Sequence, residues 1–490
     1  MMYLGGLDVG TTGCKLTVYN EKGEFLFKAY EEYEASRTEG EHEIDVAEIF
    51  RGVKSVIRQG AKDYPIDAMG VTTFGETFVM LDAEDKVLLP AMLYTDPRGE
   101  AQCRALCDSF GEEALIDICG VKPHAMYSLP KVMWIKENRP EIYGKAKRVL
   151  LMADYIVYML SGQAKIDYSL AARTMALDIR KKEWSKEIFG AAGVPCELFS
   201  QVVPTGSIAG NIRPELCEDL GLSPETKIVV GTHDQVASAL GAGVMEVGQA
   251  VDGTGTVECI TPVFDTIPSD KALYDEGYCV VPYVFPGTYV CYAFSFTGGA
   301  VIKWYRDMLS QEKSYQKLDA SVPEGPTDLL VLPHFAGAAT PYMDNGSKAC
   351  ILGLTLAHTG ADIYKALLEG VTYEMMMNLS RLERGGISPT ALYATGGGAM
   401  SDVWLQIKAD ILNRPIISMS AKEVGACGTC MLVGVAVGLF PDLAKAKEVF
   451  VKENKVYRPD ENRAKQYEGR YRAYEKLYDA VRPVVEAMKE

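Results

Sequence analysis

The chain has 490 residues, of which 48% are hydrophobic and 24% charged, a composition typical of a globular protein with at least two cores. Its formal net charge of −16 argues against a nucleic-acid partner, because nucleic-acid binding depends on a basic surface that releases counterions. The sequence has neither a charged start followed by an apolar signal core nor an apolar span long enough for a bilayer, so we expect a cytoplasmic protein with no membrane partner.

The first ordered stretch predicts a β-hairpin that holds phosphate. Residues 4–19 contain a short apolar run, Asp8, a Gly-Thr-Thr-Gly turn and a second alternating run. We expect the turn glycines to allow positive φ and to bring N–H groups close to an anion, with Thr11, Thr12 and Lys15 as further donors. Asp8 is the candidate ligand for Mg²⁺, because hard cations prefer oxygen ligands. The alternative is an ordinary hairpin with a glycine-rich turn.

A carboxylate interrupts the next apolar run. Residues 69–82 predict a buried strand with Glu76 at a glycine break, and Asp96 follows in a polar turn. A buried carboxylate is costly unless it has partners, which favours a polyol-binding role for Glu76. The alternative places Glu76 at an exposed strand end.

Two later groups of polar residues are interpreted as structural. The first lies beside apolar residues and comprises Asp167, Ser169, Arg173 and Thr174. We interpret it as a bend rather than as a catalytic group. The second is the Cys-x-x-Cys at residues 427–430, which lacks nearby zinc ligands and lies in a small-residue segment typical of a tightly packed helix.

Asp234 is the candidate catalytic base. Residues 227–231 predict a strand, and Thr-His-Asp-Gln at its end precedes a helix of small residues. A strand end fixes a side chain at the mouth of a parallel sheet, where catalytic groups are often held. The alternative is that Asp234 caps the following helix. His233 is interpreted as a packed polar residue.

A second hairpin repeats the first. Residues 249–262 again combine an apolar run, an Asp, a Gly-Thr-Gly-Thr turn and a second apolar run. The repeat predicts two duplicated lobes that face each other across a cleft, with Gly253 and Thr254 opposing Thr11 and Thr12 at a nucleotide tail. The sequence contains no Walker pattern and no dinucleotide-binding glycine pattern, so we expect a hairpin-based phosphate site.

In the second half of the sequence, one predicted strand ends in three consecutive glycines. Residues 392–398 predict that strand, and Ser401 is expected to cap the helix that follows. Because these glycines have no side chains, the flat base of a nucleotide could lie directly against their backbone. Upstream, Gly299 lies where another helix opens.

At these residues the sequence resembles the FGGY carbohydrate kinases. Residues 126–138 and 349–369 look like the two signature stretches of that family, the hairpins look like its phosphate motifs, and residues 395–412 look like its adenosine motif. The resemblance covers essentially the whole chain. It implies an α/β fold of two actin-like, ribonuclease H-like lobes with an interlobe cleft, which we divide into residues 1–245 and 246–490.

The resemblance also implies roles for single residues. Asp234 is similar to the family's catalytic base and Asp8 to its magnesium-associated acid. From the residues and the resemblance together, the expected nucleotide contacts are Thr11, Thr12, Lys15, Gly253, Thr254, Gly299, Lys303, Gly397, Gly398 and Ser401. The expected sugar contacts are Glu76, Thr77, Asp96, Asp234 and Gln235.

The resemblance predicts a kinase that uses ATP and Mg²⁺ to phosphorylate a hydroxyl of a small ketose or polyol. Glycerol kinases carry Arg before the glutamate, whereas this chain has Gly75, and the Met-His-Gly of xylulokinases is replaced by Thr73-Phe74-Gly75. The pattern looks more like that of fuculokinase or rhamnulokinase. An actin-like ATPase and a non-catalytic sugar sensor are the alternatives, and the assembly is left open, with a homodimer as one alternative.

Overall fold

The structure is a computed structural model that describes residues 1–420 and 423–488. It is an α/β protein. The strands in chain order are β1 (Tyr3–Val9), β2 (Gly13–Asn20), β3 (Phe25–Glu32), β4 (Ala35–Thr38), β5 (Glu41–Ile44), β6 (Ala68–Thr73), β7 (Phe78–Leu81), β8 (Ala91–Met92), β9 (Arg148–Leu151), β10 (Lys165–Asp167), β11 (Leu177–Asp178), β12 (Glu183–Trp184), β13 (Gln201–Val203), β14 (Ile208–Asn211), β15 (Lys227–His233), β16 (Gln249–Thr254), β17 (Glu258–Phe264), β18 (Val281–Pro282), β19 (Tyr289–Val290), β20 (Ala293–Ser295), β21 (Leu330–Leu332), β22 (Cys350–Leu352), β23 (Ala391–Thr395), β24 (Ile416–Met419) and β25 (Glu453–Tyr457).

The α-helices in chain order are α1 (Val46–Ala61), α2 (Glu100–Phe110), α3 (Glu112–Cys119), α4 (Ser128–Asn138), α5 (Pro140–Tyr143), α6 (Met152–Ser161), α7 (Tyr168–Ala172), α8 (Lys186–Ala192), α9 (Pro214–Leu220), α10 (Asp234–Gly241), α11 (Ala272–Asp275), α12 (Gly299–Trp304), α13 (Tyr315–Ala320), α14 (Gly360–Arg384), α15 (Asp402–Leu412), α16 (Val424–Ala436), α17 (Leu443–Phe450), α18 (Glu461–Tyr474) and α19 (Leu477–Ala487). Short 3₁₀ turns lie at Cys196–Leu198 and Gly397–Met400, and a π turn at Tyr305–Leu309. Within the described residues, no helix is both long and apolar enough to cross a membrane.

The chain forms two compact units. The first contains the described residues of Met1–Gly243, Val280–Thr288 and Ala421–Val451. The second contains those of Val244–Cys279, Tyr289–Ser420 and Lys452–Glu490.

The first unit is built on a sheet with the strand order β14-β15-β6-β1-β2-β3. The hairpin β1–β2 is antiparallel, whereas β1 pairs with β6, and β6 with β15, in parallel. Helix α16 packs directly on β1, where a Cβ at Gly6 would lie 2.5 Å from the carbonyl oxygen of Ala426. Helix α1 packs on β2 and β3 through its predicted apolar face, and Asp45 caps it by accepting from the amide of Ala47.

The sheet of the second unit repeats this pattern. Its strand order is β19-β17-β16-β23-β24-β25, with β20 also paired to β17. The hairpin β16–β17 is antiparallel, and β16, β23 and β24 are parallel neighbours, as β1, β6 and β15 are in the first unit. The internal repeat that the two hairpins predict is therefore confirmed at the level of sheet topology.

Two local predictions are wrong. Residues 69–82 do not form one strand, because β6 ends at Thr73, β7 begins at Phe78, and the chain turns between them at Glu76 with a φ of 62°. The turn glycines Gly10 and Gly13 do not have positive φ. Gly13 is required for packing instead, since a Cβ there would lie 2.4 Å from the hydroxyl of Tyr30.

Candidate functional site

Asp234 is the first residue of α10, directly after the buried strand β15. Its Oδ1 atom is buried and has no hydrogen-bond partner among the described residues, while 34% of the side chain is exposed. The helix begins at Asp234 with His233 at the cap position and, among the described residues, without a side-chain cap, which argues against the alternative of Asp234 as the helix cap. A buried carboxylate oxygen without a partner has unused capacity to accept a hydrogen bond or a proton from a ligand.

The electrostatic surroundings of Asp234 suit a general base. Burial, and then the neighbouring charge of Asp8, raise the pKa of Asp234 from 3.8 to about 7. Burial and Arg173 hold the pKa of His233 well below its usual range, so its ring, 3.4 Å from Oδ1 of Asp234, is neutral and supplies no counter-charge. A carboxylate that titrates near pH 7 is poised to take a proton from a hydroxyl.

Glu76 lies in the turn between β6 and β7 and is only 4% exposed. Nε of Arg173 donates to its Oε1 at 2.5 Å, and the Nη2 of Arg173 contacts the same oxygen. The hydroxyl of Ser128 donates to the Glu76 carbonyl oxygen at 2.6 Å. The alternative of an exposed strand-end Glu76 is wrong, and its positive φ is the kind of local strain that clusters at functional sites.

Arg173 is a site residue that the sequence analysis missed, since it was interpreted as part of a structural bend. It is 5% exposed, and its guanidinium lies 5.1 Å from the ring centre of Tyr127. The available signal was an arginine in an apolar segment, because a buried guanidinium needs a carboxylate partner. Arg173 and Glu76 therefore form a buried ion pair.

The other predicted sugar contacts have different surroundings. The carboxylate of Asp96 accepts from Nε and Nη2 of Arg98 at 2.9 and 2.7 Å and from the amide of His42 at 2.8 Å. Although burial raises the pKa of Asp96, these hydrogen bonds outweigh it and lower the pKa. The hydroxyl of Thr77 is buried and has no partner among the described residues, and Gln235 is half-buried beside Asp234.

On the first hairpin, Asp8 and Lys15 are cross-strand neighbours, and their carboxylate and ammonium lie 3.0 Å apart. The same ammonium lies 3.0 Å from Glu423. Burial lowers the pKa of Lys15, but Asp8 and Glu423 outweigh it and raise the pKa, so the ammonium stays charged and paired. Thr11 is half-buried and Thr12 is exposed at the tip of this hairpin.

The described residues could hold Mg²⁺ only together with a bound phosphate group, whose oxygens would complete the set of ligands. Among residues 1–420 and 423–488, no cluster of three or more His, Cys, Asp or Glu side chains could hold a metal ion. Mg²⁺ in phosphoryl-transfer sites keeps several waters and uses one or two carboxylates together with phosphate oxygens. Asp8, whose charge acts on Asp234, supplies one such carboxylate, and the oxygen of Asp234 stays free for a substrate hydroxyl.

The second unit contains a cavity of about 830 Å³. Six of the predicted nucleotide contacts line it, namely Thr254, Gly299, Lys303, Gly397, Gly398 and Ser401. Several large side chains also line it, namely Trp304, Met308, Tyr315, Tyr364, Met400 and Trp404. Such a volume lies within the roughly 300–1,000 Å³ of small-molecule sites, and the mixture of aromatic walls with few polar groups suits a nucleoside.

The glycines after β23 shape one wall of this cavity. A Cβ at Gly398 would lie 2.5 Å from Cγ2 of Thr254, so the glycine lets the loop pack against the second hairpin. A Cβ at Gly397 would meet no atom within 4 Å, which leaves bare backbone facing open space. Ser401 caps α15 by accepting from the amide of Trp404 at 3.0 Å, as predicted.

Two family models match the chain. Residues 2–241 match the N-terminal domain and residues 269–437 the C-terminal domain of the FGGY family of carbohydrate kinases, and together they cover well over half of the sequence.

Individual relatives match along nearly the whole chain. It is 27% identical to the xylulose kinase of Bacillus subtilis (strain 168), over 100% of this chain and 99% of the relative. It is also 27% identical to the gluconokinase of the same strain, over 95% and 93%. The solved structure of a ligand-bound xylulose kinase from Lactobacillus acidophilus covers 100% of both chains with a TM-score of 0.91 at 24% identity. This likeness confirms the predicted α/β fold class.

Proposed function

The chain belongs to the FGGY family of carbohydrate kinases, and we propose that it transfers the γ-phosphoryl group of ATP to a hydroxyl of a small neutral ketose or polyol. The observation that carries the proposal is the buried Oδ1 of Asp234, which has no hydrogen-bond partner within residues 1–420 and 423–488 and belongs to a carboxylate whose pKa is raised to about 7. Family membership favours a kinase over both alternatives, the actin-like ATPase and the non-catalytic sensor.

Asp234 acts as the general base. Its Oδ1 takes the proton of the sugar hydroxyl while that oxygen forms its bond to the γ-phosphorus and the bond from phosphorus to the leaving ADP oxygen breaks. Asp8 would hold Mg²⁺, which when bound with ATP offsets the charge of the phosphates. Lys15 holds Asp8 in place across the hairpin, 3.0 Å from its carboxylate.

Charge favours a neutral sugar over an aldonate such as gluconate. The carboxylates of the candidate sugar site are Glu76, Asp96 and Asp234, with the charge of Asp8 also acting on Asp234. Arg173 is paired with Glu76, and Arg98 with Asp96. The carboxylate of an acidic substrate would therefore lie near several protein carboxylates, and the neighbouring arginines are already paired with those. The hydroxyls of a neutral sugar can instead donate hydrogen bonds to the protein carboxylates.

The cavity of the second unit supports nucleotide binding. We propose that adenosine lies against the backbone of Gly397 and Gly398 and that Thr254 donates to phosphate. In this scheme residues 1–245 supply the first hairpin, the sugar contacts and the base. Residues 246–490 supply the second hairpin and the adenosine pocket.

The proposal is tested by the products of the reaction. Purified protein with Mg²⁺, ATP and a panel of neutral ketoses and polyols should form one sugar monophosphate, detected by mass spectrometry, in an amount equal to the ADP released. ADP without any sugar phosphate would instead identify an ATPase. Sugar binding by calorimetry without ADP release would identify a sensor.

A further inference from the structure

A buried cluster of charged residues lies beneath the second hairpin. Asp252 and Thr254 alternate along β16, and Glu258 of β17 is paired opposite Thr254, so the three side chains share one face of the hairpin. Helix α15 packs Lys408 against that face. Each of the four side chains is at most 1% exposed.

Lys408 uses all its donors on this hairpin. Its Nζ donates to Oδ2 of Asp252 at 2.6 Å, to Oγ1 of Thr254 at 2.7 Å and to Oε1 of Glu258 at 2.8 Å. Although burial lowers it, the two carboxylates raise the pKa of Lys408 above its ordinary value. The side chain is therefore an ammonium, which has three N–H donors and no acceptor.

This geometry determines which group donates in the hydrogen bond between Lys408 and Thr254. A threonine hydroxyl has a single proton, and because an ammonium cannot accept, Oγ1 of Thr254 must accept from Lys408. The hydroxyl proton of Thr254 is then left to donate elsewhere. Thr254 lines the cavity, and its other side is confined, since a Cβ at Gly398 would lie 2.5 Å from its Cγ2.

We propose that Lys408 is a positioning residue that orients the hydroxyl of Thr254 as a donor toward a polyphosphate in the cavity. Asp252 and Glu258 hold the ammonium in place. This inference rests on the proposed nucleotide function of the cavity. It assigns to Lys408 no contact with the nucleotide itself.

A gain in folding stability does not account for this charged cluster. Oδ1 of Asp252 and Oε2 of Glu258 are buried without a hydrogen-bond partner among the described residues. Buried ion pairs seldom exceed the stability of apolar residues of similar size, because desolvation offsets their attraction. A role in orienting Thr254 accounts for a charged cluster at this position.

The test compares two ligands that share the cavity. Titration calorimetry with Mg²⁺-ATP and with adenosine, without sugar, should show that Lys408→Met weakens ATP binding by at least roughly ten-fold, the scale of one hydrogen bond to a charged group. Adenosine affinity should stay within about two-fold, since it has no phosphate to contact Thr254. A general structural defect would weaken both ligands.

Lys365→Met is the matched control. Lys365 is also a buried lysine of this unit, 2% exposed, whose Nζ donates to the Pro323 carbonyl at 2.6 Å and lies 3.7 Å from Glu369. It does not line the cavity. Its replacement should leave both affinities unchanged, and an equal loss of ATP binding in both lysine variants would overturn the proposal.

Two further variants keep the test decisive if Lys408→Met does not fold. The variant K408M/D252N/E258Q replaces all three ionisable side chains with neutral ones of nearly the same size, and it should show the same selective loss of ATP binding. In a Thr254→Val background, the three substitutions should change ATP affinity by no more than about two-fold, because Thr254 carries their effect. A full additive loss would overturn the role of Lys408. Unchanged ATP affinity in Thr254→Val alone would also overturn the role of Lys408, whereas failure of the parent protein to bind ATP or adenosine would refute the proposed nucleotide function.

Discussion

At the scale of single residues, Asp234 is the proposed general base. Asp234→Asn keeps the shape of the side chain and removes its ability to take a proton, so kcat should fall by at least about 10²-fold while sugar binding is largely retained. In the parent protein, kcat/KM should rise with pH through about 7, because the base must be ionised. Steady-state kinetics of both proteins between pH 5 and 9 check this, and near-normal turnover of the variant would exclude Asp234 as the base.

The same carboxylate should make stability depend on pH. Its pKa is raised from 3.8 to about 7 in the folded protein, so between these values the folded state binds more protons than the unfolded state. Its contribution to stability is therefore lost as pH rises through about 7. Asp234→Asn should raise the melting temperature relative to the parent at pH 8 more than at pH 5 in thermal unfolding. An equal difference at both pH values would contradict the buried, raised-pKa carboxylate.

Glu76 should determine sugar affinity. Glu76→Gln retains an oxygen for Arg173 but removes the charge that accepts sugar hydroxyls, so KM for the sugar should rise roughly ten-fold and KM for ATP should change little. Glu48→Gln, at an exposed ion pair with Arg51, is the control and should change neither constant. Unchanged sugar dependence in the Glu76 variant would remove this residue from the sugar site.

Single residues differ in how far the sequence predicts them. The position of Asp234 in the fold was predictable because a strand end, an acid and a helix start are adjacent in the chain, and the burial of Glu76 because a carboxylate interrupts an apolar run. Arg173 was not assigned to the site, since it lies 97 residues from its partner Glu76 and no local pattern links them. Lys408 was missed for the same reason, because its partners lie on a distant hairpin.

At the scale of secondary-structure elements, the two hairpins are the proposed phosphate-binding elements. Thr12→Val removes a hydroxyl donor at the tip of the first hairpin, and Thr254→Val removes one that lines the cavity at the end of β16, so each should weaken ATP binding and turnover more than sugar binding. Thr17→Val is the matched control, because it removes from the same first hairpin a buried hydroxyl that has no hydrogen-bond partner in the described part of the chain. Calorimetry with ATP and kinetics with both substrates measure the effect, and wild-type values for both Thr12→Val and Thr254→Val would contradict a phosphate role for the hairpins.

Elements with strong periodicity were predicted well. Helix α1 follows its apolar spacing and its Asp45 cap, and Ser401 caps α15 as expected. The turn at Glu76 was not predicted, because the glycine break was interpreted as part of one continuous strand, and the partner Arg173 that pairs with Glu76 in the turn is distant in the sequence. The conformation of Gly13 likewise depends on Tyr30 of the neighbouring strand.

At the scale of the whole molecule, the two sheets repeat one strand order, which explains why the sequence contains two similar hairpins. The repeat could be found in the sequence because each hairpin is local. The packing of α16 on β1 could not be found in the sequence, since it depends on contacts between residues more than 400 positions apart, such as Cys430 and Leu4. The functional division at residue 245 stays a prediction.

A coupled assay of ADP release most directly tests the central claim, which is sugar-dependent phosphoryl transfer with Asp234 as the base. Parent protein and Asp234→Asn are assayed side by side with ATP and Mg²⁺ against pentuloses, 6-deoxyketohexoses, other neutral polyols and gluconate. We predict rapid ADP release by the parent protein with a neutral ketose or polyol, little with gluconate, and a loss of at least about 10²-fold in the variant. ADP release that is independent of sugar, occurs only with gluconate, or persists in Asp234→Asn would contradict the account.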